Sequence, residues 1–254
     1  MKRFAVILSA LLMLVTLSAV SPAEQVLTTS PETGEIPMTI TVKTGDHYLQ
    51  PLTFVMVRRV DSPPQMAFWI EDTDGGFIDT LYVSLKAGTQ GWTTLPWEKG
   101  EIRREYSVPF WAHRRGVIYP DGLYLPTIDE PLPDVVTGAT PTADFTLETK
   151  APSAPRRFVV LAEFNAPCDF NDVYPADNRP GEPGYTGGKW GSGQPAMVYA
   201  ATVDLDDGVF TYEMVPLGIS SPDGSGGGLT RDFSTLTTAP DILKGITITI
   251  GPGD

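Results

Sequence analysis

Glycine and proline are spread along the whole chain, and they restrict its fold more than any other feature. The 254 residues include 25 glycines and 24 prolines, about a fifth of the total, and both residue types interrupt helices. That density excludes a helical bundle or a coiled coil. Hydrophobic residues at 41% and five tryptophans argue equally against a disordered chain. The sequence therefore predicts a folded, turn-rich protein that is mainly β.

The first 23 residues have the pattern of a secretory signal peptide. A basic start at Met1-Lys2-Arg3 leads into an apolar run over 4–20, and Ser21-Pro22-Ala23 places small residues before a cleavage site at Glu24. The alternative is a retained N-terminal anchor, since the apolar run approaches the length of a membrane span. The pattern favours cleavage and a periplasmic or extracellular mature chain that is not inserted in the membrane.

The charge and the counts of metal-binding and redox residues exclude several kinds of function. A formal net charge of -13 is unsuited to binding a phosphate backbone, so we expect no nucleic-acid partner. The chain has two histidines and one cysteine. These counts exclude a histidine-rich metal site and an intramolecular disulfide. Neither the oligomeric state nor a specific ligand is specified by these features.

The mature chain is predicted to be a short linker followed by one β-sandwich domain. Residues 24–35 are polar and rich in Thr, Ser and Pro, and 36–254 contain short β-branched or alternating runs between turn residues. Because no regular helices separate these runs, an antiparallel sandwich is favoured over βαβ units. The nine predicted strands are 36–44, 52–60, 65–71, 77–85, 145–149, 157–165, 196–205, 208–216 and 246–250.

Two short helices and several turns are predicted between the strands. In the first helix, 107–116, Ser107 is placed to cap the start, and Gly116 follows the last turn. The second helix is predicted at 238–245. Turn residues at 72–76 and 206–208 predict two hairpins, and the glycine-rich loops 175–195 and 218–231 are candidate binding surfaces.

The first helix carries a candidate ligand site. Trp111, His113, Arg114 and Arg115 place an aromatic residue and basic residues close together, a combination suited to an anionic ligand. The competing interpretation is structural, with the aromatic residue in the core and the basic residues complementing the helix C-terminus.

Oxygen-bearing side chains are concentrated in one loop. Asp169, Asn171, Asp172 and Asp177 supply the hard oxygen ligands that calcium prefers. The alternative is an ordinary solvated loop, in which such residues stabilise turns.

A third candidate is the string Asp134-Val-Val-Thr137-Gly138-Ala139-Thr140. It resembles the Asp-x-x-Ser/Thr-Gly-Ala-Thr signature on which extracytoplasmic flavin transferases attach FMN through a phosphodiester. The resemblance implies covalent FMN on Thr140. An ordinary turn between two strands is the alternative.

Tryptophans suggest one further possibility. Trp92, Trp97 and Trp190, with loop carboxylates, would suit a carbohydrate-binding or carbohydrate-hydrolysing sandwich if their rings are exposed. Burial in the core is the alternative for such aromatic residues. Cys168, with no partner for a disulfide, is interpreted as structural.

Strings along most of the mature chain resemble one family. They lie at 68–75, 80–83, 111–116, 133–141, 170–174 and 193–200. The family comprises predicted periplasmic proteins of unknown function with an immunoglobulin-like fold, linked to extracytoplasmic flavin or PepSY-type membrane redox systems. The resemblance implies a non-catalytic binding or accessory module of a membrane-associated redox or transport system, and it assigns no catalytic residues. A covalent FMN carrier and a carbohydrate-directed sandwich are the alternatives.

Overall fold

The computed structural model describes residues 25–54, 58–92 and 102–251, and in these residues the chain forms thirteen strands and two α-helices. The predicted signal peptide and Trp97 lie outside the described residues. In chain order the elements are β1 (Gln25–Thr28), β2 (Ile36–Thr44), β3 (Gln50–Phe54), β4 (Arg58–Ser62), β5 (Gln65–Asp72), β6 (Phe77–Ser84), α1 (Leu85–Thr89), α2 (Pro109–Arg115), β7 (Thr137–Gly138), β8 (Phe145–Ala151), β9 (Arg157–Asn165), β10 (Met197–Asp204), β11 (Thr211–Glu213), β12 (Val215–Ile219) and β13 (Leu243–Ile250).

Eleven of these strands form two sheets. One sheet has the order β1-β8-β2-β13-β11, the other has the order β12-β10-β9-β5-β6-β7, and β3 and β4 form a separate two-stranded sheet. All neighbours are antiparallel except β1 with β8 and β6 with β7. The predicted mainly β sandwich is confirmed. The immunoglobulin-like label remains a prediction.

The main core lies between the two sheets because alternate residues of each strand point inward. In β2 the alternation is regular, with Met38, Ile40 and Val42 buried. The facing side chains come from the six-stranded sheet and include Phe68 and Ile70 of β5 and Phe158, Val160 and Phe164 of β9.

A second apolar cluster covers the outer face of the six-stranded sheet. Trp69 of β5 and Leu161 of β9 point away from the main core and contact Phe110 and Trp111 of α2 within this cluster. Strand β5 is therefore buried on both faces over six consecutive residues, as expected for a strand covered on two sides. This packing fixes α2 against the sheet.

The predicted linker over 24–35 was wrong in its first part, since Gln25–Thr28 is a strand of the five-stranded sheet. Just after it, the buried Thr29 donates its hydroxyl to Thr149 Oγ1 at 2.9 Å. A four-residue strand with one exposed valine gives no clear alternating pattern. Its parallel partner β8 lies far along the chain, so local sequence did not reveal the pairing.

Three other predicted elements differ. Only Ala239–Ile242 of the predicted helix 238–245 is helical, as a short 3₁₀ turn, because Leu243 already pairs with Thr44 of β2. The predicted strand 52–60 is two strands, β3 and β4. The predicted strand 208–216 is also two, β11 and β12, which belong to different sheets.

The predicted hairpin at 206–208 was also wrong. The turn is present, with Gly208 at φ 74°, but β10 and β11 belong to different sheets. The chain crosses from one sheet to the other here. The predicted hairpin at 72–76 is confirmed between β5 and β6, with Gly75 at φ 87°.

Candidate functional site

Strand β9 and two glycine-rich loops contact one segment that precedes α2. Tyr106 provides the centre: its carbonyl accepts the Asn165 Nδ2 donor at 2.7 Å and the Ser192 hydroxyl at 3.2 Å. A Cβ on Gly187 would overlap the Tyr106 ring, and one on Gly224 would overlap the backbone of Glu105. Glycine in both predicted binding loops therefore permits close backbone packing.

Helix α2 carries the four residues of the predicted ligand site. Three of them, Trp111, Arg114 and Arg115, make contacts within the protein instead of facing an open site. Trp111 is fully buried, and its indole Nε1 donates to Thr80 Oγ1 at 3.1 Å. Arg115 lies over the Trp111 ring, with Cζ 5.1 Å from the ring centroid. These contacts match the structural interpretation of the motif.

Arg114 is also held in a structural contact. Its Nε and Nη2 each donate to one carboxylate oxygen of Glu71 at 2.7 Å, and Nη2 also bonds the Gly75 carbonyl. Glu71 is buried, and its Oε1 accepts the Trp69 indole as well at 2.8 Å. The Glu71 partner raises the pKa of Arg114 further. These hydrogen bonds of Arg114 hold the end of α2 against the β5–β6 hairpin.

A buried carboxylate that sequence reasoning missed stabilises the start of α2. Glu163 of β9 is fully buried, and it accepts the N–H groups of Phe110 at 3.1 Å and Trp111 at 2.8 Å. Burial raises the pKa of Glu163 to about 7, against the opposing effect of these hydrogen bonds. Ser107, predicted as the cap, makes no such bond. A lone glutamate in an otherwise apolar strand was the available signal.

The fourth predicted ligand residue, His113, lines a cavity of about 200 Å³ along one face of α2. Its Nε2 lies 3.1 Å from the Gly224 carbonyl, and its ring stacks on Tyr124 with centroids 4.0 Å apart. Glu105 and Ser225 also line the cavity. Glu105, Tyr124 and Ser225 come from three separate segments, so only His113 was found from the sequence.

A second cleft, of about 520 Å³, lies where β10, β11 and β12 diverge. Strand β12 pairs with β10 only as far as Ala200, which leaves the later residues of β10 without a strand on that side. The Tyr212 hydroxyl bonds both backbone groups of Asp204. Since alternate residues point to the same side, the N–H and C=O of Thr202 also face this side.

Strand β11 is the other open edge of the cleft. Ile250 N–H donates to the Phe210 carbonyl, and Met214 N–H donates to the Ile246 carbonyl, both at 2.9 Å. By the same alternation, the backbone groups of Thr211 and Glu213 point away from β13. Two open sheet edges, one from each sheet, therefore border the cleft.

The predicted calcium ligands are not assembled into one site. Asp169 is buried and accepts the Thr238 hydroxyl at 2.5 Å, while burial raises its pKa. Asn171 bonds the Thr235 carbonyl, and Asp172 and Asp177 are exposed. Among the described residues, no group of three or more His, Cys, Asp or Glu side chains is placed to hold a metal ion.

Thr140 is half-buried in the loop between β7 and β8. The neighbouring carbonyls of Gly138 and Ala139 accept the buried Tyr82 hydroxyl at 3.2 and 3.1 Å, and the Pro141 carbonyl accepts Tyr48 at 3.0 Å. Neither cavity described above includes these residues. The string therefore consists of a turn over 134–136, strand β7 and a fixed loop, and covalent FMN on Thr140 stays a prediction.

The predicted stacking tryptophans are partly shielded by cations. Trp92 and Trp190 are half-buried, and Arg104 lies over the Trp92 ring, with Cζ 4.6 Å from its centroid. Lys189 lies 5.7 Å from the Trp190 centroid. Burial raises the pKa of the nearby Cys168 thiol, which agrees with its structural interpretation.

No protein-family model, curated protein or solved structure matches this chain. Within the described residues, none of the helices has the length and apolar character needed to cross a bilayer.

Proposed function

We propose that this chain is a non-catalytic accessory module that binds an extended segment of a partner protein at the cleft between β10 and β11. The proposal places it outside the cytoplasm, beside a membrane-associated redox or transport system. The open backbone edges of both sheets at one cleft are the observation that carries the binding role. An extended segment is the occupant that such edges accept, because it supplies matching N–H and C=O groups.

Apolar side chains beside the cleft support the same occupant. Phe210 is 57% exposed, Val215 is 61% exposed and Val209 is 46% exposed. Val215 lines the cleft, and Val209 and Phe210 immediately precede β11 in the chain. A partner segment that covers these side chains would remove apolar surface from water, at about 25 cal/mol for each Å² buried. Exposed apolar surface of this kind is compatible with an interaction site.

The charge at the cleft favours a basic segment. Glu213 lines the cleft, and Asp207 precedes β11 in the chain. Each accepts one hydroxyl at 3.0 Å, from Thr247 and Tyr212 respectively, but among the described residues neither has an ion-pair partner. Asp206 is different, since Arg156 pairs with it at 2.6 Å. Lys or Arg residues in the partner segment would complement Asp207 and Glu213.

The cellular location and the kind of partner rest on the sequence. The basic start, apolar run and small-residue cleavage site support export. The family resemblance supports a membrane-associated redox or transport partner. We expect the intact mass of protein from native cells to match a chain that begins at Glu24. A mass that includes the first 23 residues would contradict cleavage.

Site-specific photocrosslinking in native cells tests the partner site. A photoreactive residue at Phe210 is expected to give an adduct with one membrane-associated protein, and Val215→Asp should weaken that adduct. The matched control is Val26, which is 57% exposed on β1, at the other edge of the five-stranded sheet. A photoreactive residue at Val26 should give no adduct, and Val26→Asp should leave the adduct from Phe210 unchanged.

Three outcomes would overturn this function. They are the same adduct from both positions, no adduct from Phe210, and an adduct with a second copy of this chain alone. Circular dichroism of each variant checks that it remains folded.

A further inference from the structure

The cavity along one face of α2, here called the α2 cavity, shares no lining residue with the partner cleft. It is lined by Pro109, Ala112, His113, Tyr124 and Leu125, together with Glu105 and Ser225. Gly122, Leu123 and Gly224 complete the lining. Its volume of about 200 Å³ exceeds the roughly 150 Å³ that suffices for benzene. The cavity therefore suits a compact molecule of about eight non-hydrogen atoms.

One wall of the α2 cavity is aromatic and fixed in position. The rings of His113 and Tyr124 are stacked at a centroid separation of 4.0 Å with 33° between their planes. The contact of His113 Nε2 with the Gly224 carbonyl at 3.1 Å sets the orientation of the imidazole. Pro109 and Leu125 add apolar surface, so the body of a ligand would meet apolar and aromatic groups.

Glu105 gives the cavity its charge. Its carboxyl group has no hydrogen-bond or ion-pair partner among the described residues. Burial and the negative charges of Asp223 and Asp121 raise its pKa, while Arg103 and His113 act in the opposite direction. Arg103 is itself paired with Asp121, so it is not the counter-ion of Glu105.

The neighbouring acids are already engaged. Asp223 accepts the hydroxyls of Ser221 at 2.8 Å and Ser225 at 2.7 Å, as well as the Ser225 N–H at 3.0 Å. Glu105 is therefore the acid at this cavity that still lacks a donor. This half-buried carboxylate gains most from a charged donor, because such hydrogen bonds are stronger than neutral ones.

We propose that the α2 cavity binds a small organic cation, a primary ammonium group on a compact aromatic or apolar body. The ammonium donates to the Glu105 carboxylate, and the body packs against Tyr124 and Leu125. The faces of the aromatic wall add a favourable interaction with the positive charge. The site does not depend on a partner protein at the cleft between β10 and β11.

Three probes of one shape test the charge requirement. The purified mature chain is titrated at neutral pH with benzylammonium, benzyl alcohol and benzoate, with the amide NMR signals of Gly122, Gly224 and Ser225 as readout. We expect saturable shifts of these signals with benzylammonium. Benzyl alcohol should bind at least about tenfold more weakly, a difference of about 1.4 kcal/mol, and benzoate should not bind.

A matched pair of variants tests the carboxylate. Glu105→Gln, which keeps the shape of the side chain, should weaken benzylammonium by about tenfold or more. Glu148→Gln, an exposed change on β8, should leave the affinity unchanged. Unchanged affinity in Glu105→Gln, equal binding of benzyl alcohol, or no saturable shift with benzylammonium would each overturn the proposal. A folded amide spectrum of each variant keeps the comparison valid.

Discussion

Replacing Glu163 with glutamine removes a titrating group from the packed interface between α2 and the six-stranded sheet. The carboxylate accepts the first two N–H groups of the helix, those of Phe110 and Trp111, and the residue is 0% exposed. Burial raises the pKa of Glu163 from 4.5 to about 7. The folded state therefore holds the proton more tightly than the unfolded state.

The sign of the pH dependence follows from that difference. A carboxyl group with a raised pKa in the folded state stabilises the fold while it is protonated, below about pH 4.5, and this contribution is lost as the pH rises through about 7. A shift of about 2.5 pKa units corresponds to about 3 kcal/mol in total, at 1.36 kcal/mol per unit. Most of that loss falls between about pH 5 and pH 8.

Urea unfolding at several pH values between about 5 and 8, followed by tryptophan fluorescence, measures this effect. We expect the free energy of unfolding to fall with pH more steeply in the native chain than in Glu163→Gln, by about 2–3 kcal/mol over that range. Glu148→Gln, exposed on β8, should follow the native chain. The glutamine amide has one oxygen, so one of the two helix N–H groups loses its acceptor, and this lowers the free energy of unfolding at every pH. Only the slope of that free energy against pH is therefore compared. Parallel curves for Glu163→Gln and the native chain would refute the reasoning.

Two matched pairs of substitutions test the packing. Gly187→Ala should lower the free energy of unfolding by about 2 kcal/mol or more, because φ is 97° and the new Cβ meets the Tyr106 ring. Gly208→Ala, at φ 74° with nothing within 4 Å, should cost about 1 kcal/mol, and equal costs in urea unfolding would contradict the close packing. Arg114→Met should lower the free energy of unfolding by about 2 kcal/mol, because the buried Glu71 carboxylate loses its ion-pair partner. Arg156→Met removes an exposed ion pair and should change the urea midpoint little. Equal effects of the two arginine changes would contradict the structural role of Arg114.

Much of the fold was predictable because the strands that form its centre carry a local signal. The bounds of β2 and β9 match the sequence prediction, since regular alternation in β2 and a long apolar run in β9 identify them. The short edge strand β1 and the helix α1 were missed. Both are too short for a period to show, and pairing with the distant strand β8 determines the conformation of β1.

The candidate sites were less predictable because they are assembled from distant parts of the chain. His113 was found through its unusual neighbours, whereas Glu105 and Ser225 meet it only through folding. The cleft between β10 and β11 depends on the two strands entering different sheets. The turn residues at 206–208 are compatible with either a hairpin or a crossing between sheets, so the sequence did not distinguish them.

Hydrogen exchange at the open strand edges tests the partner-binding role most directly. The backbone amides of Thr202, Thr211 and Glu213 are compared in the mature chain alone and in the chain bound to solubilised membranes from its native cells. We predict that these three amides exchange more slowly in the bound chain, because a partner strand accepts their hydrogen bonds. Unchanged exchange at all three in chain that is demonstrably bound would contradict docking at this cleft.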